Sequence, residues 1–260
     1  MFEASGEYER FMGRWSRRLA PAFVDFTAVG DGDSVLDLGS GTGSFALAVA
    51  EAFPNARVTA IDPSSAYLAA AQKRAPNHRV RFAVGNAQAL ELPSGRFDTT
   101  LSMLAMNFFP EPDAALREMI RVTRPGGIVA ASVWDYREGM EMLRRFWDAA
   151  VALDPSIEAR DERHMPLCRP WELSLLWRGN GLDRVEEQAI AIELPFTSFD
   201  DYWTPFLDGQ GPAGVYATSL SDANRDALAA RLRDRLAGTS LDRSFTLHAR
   251  AWAVKGVVPA

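Results

Sequence analysis

Cysteine occurs once in the 260 residues, at Cys168. One thiol excludes an internal disulfide, and with no Cys cluster a zinc site has no ligand set. Histidine occurs three times, at His78, His164 and His248, so candidates for a general base are few. Basic side chains do not exceed acidic ones. The formal net charge of -6 argues against a nucleic-acid binder that works through a broad basic face, and leaves room for a local patch. No uninterrupted apolar run approaches the length that spans a bilayer. The first residues, Met1 to Glu7, lack the basic-then-apolar order of a signal peptide. A cytoplasmic location is therefore expected, and a single thiol fits a reducing compartment. There is no internal repeat and no low-complexity tract.

What is present is a soluble globular composition, 47% hydrophobic and 24% charged, long enough for a sizeable core. The chain is organised around Val35-Leu36-Asp37-Leu38-Gly39-Ser40-Gly41-Thr42-Gly43. Val35, Leu36 and Leu38 read as a short buried strand, and Phe45 to Ala50 begin an apolar helix. A strand, a tight glycine turn and a helix form the cradle in which a parallel α/β sheet holds a nucleotide-like ligand. Glycine lets the backbone approach the ligand and accepts positive φ. Ser44 stands where a dinucleotide fingerprint would often have its last glycine. Asp37 sits beside the loop, and no Lys or Arg lies within it. A phosphate site recruits cations or a bare helix N-terminus. An acid suits a ligand with positive charge better, and S-adenosylmethionine carries an ammonium and a sulfonium and no phosphate.

The rest of the chain alternates strand and helix. Arg57 to Asp62 reads as a second strand ending in an acid. Asp62 lies roughly 20 residues beyond Gly43, the distance at which a carboxylate meets ribose hydroxyls. Asp62 could instead cap the helix that follows Pro63. Ser64 can fill that role, which leaves Asp62 free. Val80 to Val84 is a third strand running into Gly85-Asn86-Ala87-Gln88. Asn86 is either an adenine contact or only a turn former. Phe97 to Ser102 is a fourth strand, followed by an apolar loop, Met103 to Phe109. Pro112 starts a helix that Arg124-Pro125-Gly126-Gly127 stops. Ile128 to Trp134 is a fifth strand. This alternation predicts an α/β protein with a parallel, doubly wound, Rossmann-like sheet.

The flanks are less regular. Residues 7 to 28 read as helix, with Tyr8, Phe11, Met12, Trp15, Leu19, Phe23 and Phe26 on one face and a division at Pro21. These aromatics are core, the favoured reading, or walls of a ligand pocket. Met140 to Leu153 is helical, residues 154 to 169 read as a flexible segment, and Pro170-Trp171 opens a helix ended by Gly179-Asn180-Gly181. Leu182 to Leu194 is a strand, Phe196 to Gly214 an irregular aromatic segment, Ser221 to Ala237 a helix and Phe245 to Val254 a final strand.

Taken together, the glycine loop, Asp62, Asn86-Ala87, Phe97-Asp98 and Arg124-Pro125-Gly126-Gly127, over roughly residues 30 to 134, resemble the class I S-adenosylmethionine-dependent methyltransferases of the ubiquinone/menaquinone-biosynthesis kind (the methyltransferase type 11 group). The resemblance implies a seven-stranded sheet with an antiparallel last strand. It implies an N-terminal helical cap (1–30), a methyltransferase domain (31–260) and a lid insertion at about 196–240. It implies that Gly39 and Gly41 approach the methionine part of the cofactor, Asp62 the ribose and Asn86-Ala87 the adenine. Asp37, Ser40, Pro63, Gln88 and Leu104 complete the expected cofactor-binding set, with S-adenosylhomocysteine as product. The chain departs from the family at two positions. Asn86 stands where Asp is common, and its amide oxygen can still accept from the adenine amine. Asn107 stands where a histidine is frequent, which removes the easiest general base.

Methyl transfer is an in-line displacement in which the cofactor carries the electrophile and the protein positions and desolvates. No catalytic residue is named and no metal is expected. The acceptor is expected to be small and partly apolar, with Tyr8, Phe11, Trp15, Asn107, Trp134 and Trp203 as pocket candidates, and neither nucleic acid nor a membrane span is expected. Two other readings stay open: a non-catalytic cofactor-binding module, and a nicotinamide-dependent oxidoreductase, which Asp37 and Ser44 disfavour.

Overall fold

The computed structural model describes residues 5–75, 79–237 and 243–260. Seven strands form one sheet: β1 (Ser34–Leu38), β2 (Arg57–Asp62), β3 (Val80–Val84), β4 (Phe97–Met103), β5 (Thr123–Trp134), β6 (Asp183–Phe196) and β7 (Phe245–Val257). Their order is β3-β2-β1-β4-β5-β7-β6. β1 through β5 pair in parallel. β7 is antiparallel to β5. Gly126 N–H donates to Val258 and Val258 N–H to Gly127, whereas Asp135 N–H donates to Arg250, so partner numbers fall as β5 advances. The helices are α1 (Ser5–Tyr8), α2 (Arg14–Thr27), α3 (Ser44–Ala52), α4 (Ser65–Arg74), α5 (Pro112–Val122), α6 (Glu141–Val151), α7 (Glu172–Gly179), α8 (Phe199–Trp203), α9 (Gly211–Ser219) and α10 (Asp222–Ala237).

Two compact units divide the chain. The sheet unit comprises Gly13–Val133, Pro166–Ile190 and Ala251–Ala260; the second comprises Met1–Met12, Trp134–Met165 and Ala191–Arg250. The boundary at Met12/Gly13 thus falls inside the expected 1–30 cap, and the expected lid region lies in the second unit.

In the sheet unit the middle strands are apolar on both faces because helices cover both, as parallel sheets require. α3 and α4 pack on one side of β2 and β3. On the other lies a core of Leu36, Leu38, Phe97, Leu116, Met119, Val129, Leu173 and Trp177. The Trp177 indole N–H donates to the Val129 carbonyl at 2.9 Å, so the ring is buried with its one polar group satisfied.

Pro21 does not divide its helix. α2 runs unbroken from Arg14 to Thr27, and the irregularity lies earlier, in a π-helical turn at Glu9–Gly13. An interior proline costs about 3 kcal/mol. Burial of Trp15, Leu19, Phe23 and Val24, with Phe23 packed edge-on against Phe45 of α3 at 5.4 Å, exceeds that at roughly 1.5–3 kcal/mol per large apolar side chain. Arg124-Pro125-Gly126-Gly127, expected to stop the helix begun at Pro112, lies just past its end. It belongs to the first part of β5, and α5 ends at Val122 with Thr123 as its C-cap, whose hydroxyl donates to Met119 O and whose N–H donates to Ile120 O.

The two segments read as irregular have regular turns and helices, and residues 154–165 and 196–214 of them lie in the second unit. Residues 154–169 contain two 3-10 turns, Pro155–Arg160 and Glu162–His164. They are held by a buried ion pair, Arg144 to Asp161, by Arg163 to Asp161 and Asp148, and by the Trp147 indole donating to Glu162. Residues 196–214 form α8, a 3-10 turn at Thr204–Asp208 and the start of α9. The Ser198 hydroxyl caps α8 by accepting from Asp201 N, and the rings pack densely. Phe206 stacks on Phe146 at 4.6 Å, and Phe196 stacks on Phe245 at 5.3 Å. Polar composition hid the first segment, because its charges are satisfied by residues distant in sequence. Mixed periodicity hid the second.

Candidate functional site

The glycine loop joins the carboxyl end of β1 to α3. Gly39 and Ser40 N–H both donate to the carbonyl of Ile61 at the end of β2, at 2.8 and 3.0 Å. Gly39, Gly41 and Gly43 have φ of 71°, 53° and 81°, a region that L side chains avoid, but their surroundings differ. A Cβ at Gly39 would lie 2.6 Å from the Cβ of Ala105 and 3.2 Å from the ring of Phe109. That glycine admits the segment after β4. A Cβ at Gly43 would sit 3.0 Å from Ala71 of α4. A Cβ at Gly41 would meet nothing within 4 Å. Only Gly41 faces open space, so it is the glycine whose bare backbone a ligand can approach.

Two carboxyls flank the loop. Asp62 ends β2; one oxygen accepts from Gly41 N at 2.8 Å and the other from Ser64 N at 2.8 Å. Ser64 does cap α4, accepting from Tyr67 N, but Asp62 is not thereby free. It fastens the glycine loop to the start of α4. Each carboxylate oxygen has two acceptor sites, so two remain for hydroxyl donors. Asp37 is 1% exposed. One oxygen accepts from Ala46 N at 3.1 Å in the first turn of α3; the other, Oδ1, is buried with no partner, as is the Ser40 hydroxyl. Burial is the main cause that pushes Asp37 up to about 7, opposed by the Ala46 N–H and reinforced by the charge of Asp62. Burial also raises Asp62, against its two backbone donors. The loop itself has no cation, though Arg74 of α4 reaches the Thr42 carbonyl at 3.2 Å.

Asn86 follows β3. Its side-chain oxygen accepts from Gln88 N at 3.0 Å, and Asn86 and Ala89 form an isolated bridge. It is a turn former, as one of its two readings held, and its exposed amide keeps further donor and acceptor capacity. Ala87 is buried behind it. Leu104, after β4, has φ of 63°, an uncommon conformation for a bulky side chain, fixed by donation of its N–H to Ser132 O at 2.8 Å. The loop, Asp37, Asp62 with Pro63, and Asn86 to Gln88 come at the carboxyl ends of β1, β2 and β3, and Leu104 at that of β4. This is the rim where open α/β sheets hold ligands.

The acceptor candidates divide. Trp15 and Asn107 lie in the sheet unit, while Tyr8, Phe11, Trp134 and Trp203 lie in the second. Phe11, Trp15, Asn107, Trp134 and Trp203 are buried and Tyr8 is half-buried. Phe11 packs on Phe206 at 5.1 Å, and Trp203 stacks on Phe146 at 6.4 Å. Of the histidines, His248 is exposed, 3.5 Å from Glu141, and His78 lies outside the described residues. Among the described residues no group of three or more His, Cys, Asp or Glu could hold a metal ion, and no helix is long and apolar enough to cross a membrane.

Two features escaped the sequence reading. One is the contact of Ala105 and Phe109 with Gly39; the other is the orphaned Ser40 hydroxyl. The paired phenylalanines at 108–109 were the available signal for the first. No sequence signal marks the second.

Residues 35–127 match a family described as a methyltransferase domain, a stretch that begins in β1 and ends in β5. An uncharacterised protein of Mycobacterium tuberculosis is 32% identical over 133 residues, 50% of this chain and 48% of that protein. The ubiquinone/menaquinone biosynthesis C-methyltransferase UbiE of Rubrivivax gelatinosus is 38% identical over 113 residues, 44% of this chain and 42% of that protein. The chain spans about half the length of the curated relatives it matches. A solved structure of Haemonchus contortus phosphoethanolamine N-methyltransferase 2, in complex with phosphomonomethylethanolamine and S-adenosylhomocysteine, aligns with a TM-score of 0.60 at 19% identity. The alignment covers 98% of this chain and 57% of that one. At that identity the likeness is one of fold.

Proposed function

We propose that the chain, whose residues 35–127 match a methyltransferase domain, is a class I S-adenosylmethionine-dependent methyltransferase that transfers a methyl group from S-adenosylmethionine to a small, partly apolar acceptor. The observation that carries this reading is the pair of carboxyls at the glycine loop. Asp37 is buried with an unpartnered oxygen, Asp62 keeps two acceptor sites, and Gly41 between them faces open space. That set fits a ligand with hydroxyl donors and positive charge, and is a poor match to pyrophosphate.

When bound, S-adenosylmethionine supplies a methyl group on a positively charged sulfur, an electrophile that needs no protein nucleophile. The chain's residues bind and orient. Asp62 accepts from the ribose hydroxyls while holding Gly41 in place. Asn86 and the Ala87 backbone meet the adenine edge, with Pro63, Gln88 and Leu104 beside it. Gly39, Ser40 and Gly41 present backbone to the methionine portion. Asp37 sets a negative potential under the loop that favours its cationic groups. No residue is assigned as general base.

Asp37 makes the reading testable by pH. Its folded value of about 7 lies above its ordinary value of 3.8. The free protein therefore binds this proton more tightly than the unfolded chain does. Stability from this group is full below about 4 and is lost as pH rises towards 7. A cationic ligand reverses that loss. Calorimetry with S-adenosylmethionine, in the absence of any acceptor, from pH 6 to 8.5 is expected to show affinity rising through about pH 7. Asp37→Asn is expected to flatten and weaken binding while stabilising the free protein at pH 8 by on the order of 2–4 kcal/mol. NADH binding without S-adenosylhomocysteine binding would overturn the proposal. Binding without methyl release to any acceptor in a broad panel would favour a non-catalytic module.

A further inference from the structure

The connection from β3 to β4, residues 85–96, contains no helix. β3 is the sheet edge, α3 and α4 pack on one face of β2 and β3, and residues of this connection lie against both strands. A groove of about 430 Å³ lies there, within the 300–1,000 Å³ range of small-molecule sites. Thr59 and Ile61 of β2 and Arg81 and Ala83 of β3 floor it; Ala89 to Pro93 and Arg96 wall it. It is not the methyl-donor site. Of the proposed donor contacts only Asn86, at one end, lines it, and none of Asp37, Gly39, Gly41, Asp62 or Leu104 does.

The wall is fastened in place. Leu90 N–H donates to the Glu118 carboxylate at 2.7 Å, and Arg121, paired with Glu118, donates to the carbonyls of Leu90 and Leu92 at 3.0 and 2.8 Å. Leu90 is also buried in the core. A preformed wall lowers the ordering cost of binding.

The groove's charge is unbalanced. Acids outnumber bases in this chain, 34 to 28, and Arg10, Arg117, Arg121, Arg124, Arg144, Arg163, Arg225 and Arg250 each hold a carboxylate. Arg81 and Arg96 are exposed and hold none among the described residues, although Glu91 lines the same groove. The same groove carries apolar surface from Ile61, Ala83, Leu92 and Pro93. A guanidinium fork matches phosphate oxygens two at a time, and two forks match a dianion.

We propose that this groove binds a small phosphate ester, with the phosphate held by Arg81 and Arg96 and an apolar, ring-sized body lying on Ile61, Ala83 and Leu92. Glu91 in the wall and Thr59 in the floor accept hydrogen bonds from hydroxyl or amine groups on that body.

Calorimetry with 1-naphthyl phosphate tests this, with 1-naphthol and inorganic phosphate as the two halves of the probe. The ester is expected to bind at least roughly tenfold more tightly than either half. Arg81→Ala and Arg96→Ala are each expected to weaken it by roughly tenfold, and the double variant to reduce it to the level of naphthol. S-adenosylhomocysteine affinity, measured on the same samples, is expected to stay within about twofold, so loss of the groove reads separately from failure of the donor site. No saturable binding of the ester, equal binding of inorganic phosphate, or unchanged affinity in the double variant would each overturn the proposal.

Discussion

Replacing Asp62 with alanine is expected to lower the affinity for S-adenosylhomocysteine by roughly 10- to 150-fold, about 1.5–3 kcal/mol, the scale of hydrogen bonds to a charged group. Two effects combine. The ribose hydroxyls lose their acceptor, and Gly41 N–H, which donates to Asp62 at 2.8 Å, loses the partner that sets the loop. Stability is expected to change less. The variant leaves two backbone N–H groups to water, yet it removes a carboxylate whose burial is unfavourable and whose charge raises Asp37. The Asp37 titration should accordingly move down. Calorimetry of binding, with thermal unfolding as the control for folding, checks both. Unchanged affinity would remove Asp62 from the donor site.

The second large effect is on the fold. Gly39→Ala is expected to destabilise by roughly 2–5 kcal/mol, because two costs coincide. A side chain at φ 71° costs about 1–2 kcal/mol, and a Cβ placed 2.6 Å from Ala105 forces a displacement of the kind that costs about 1–3 kcal/mol. Gly41→Ala bears only the first cost, since nothing lies within 4 Å of its Cβ position. That variant should fold with about 1–2 kcal/mol lost and fail to bind S-adenosylhomocysteine, because its methyl group enters the ligand's space. Urea unfolding separates the pair. Equal destabilisation of the two variants would show that backbone conformation, not the close approach of Ala105, dictates glycine at position 39.

The order of elements from β1 to β5 was readable because each rests on local signals. Apolar runs bounded by glycine or proline marked the strands, Ser64 and Pro112 marked helix starts, and acids at strand ends marked the rim. Arg57–Asp62 and Val80–Val84 have the predicted limits to the residue. Outside that stretch the local signals conflict. Residues 154–169 look like a solvated loop because Asp161, Glu162 and Arg163 are charged, and only their pairing with Arg144, Trp147 and Asp148 makes burial affordable. Pro21 reads as a break until the packing of Phe23 on Phe45 is counted.

Sequence alone therefore determined the glycine turn, the two acids beside it, the strand–helix rhythm and the family resemblance, since all of these reside in short-range pattern. Tertiary structure decided what each part is for. Three glycines that look equivalent in the chain answer to three different neighbours, Ala105, open space and Ala71. Asp62, which spacing left free for a ligand, also clamps the loop, because β2 and β1 lie side by side and bring Gly41 N–H to its carboxylate. Burial of Asp37, which no local pattern encodes, moves its ionisation to about 7. Desolvation and close approach depend on residues distant in sequence, and so they become visible only when the chain is folded.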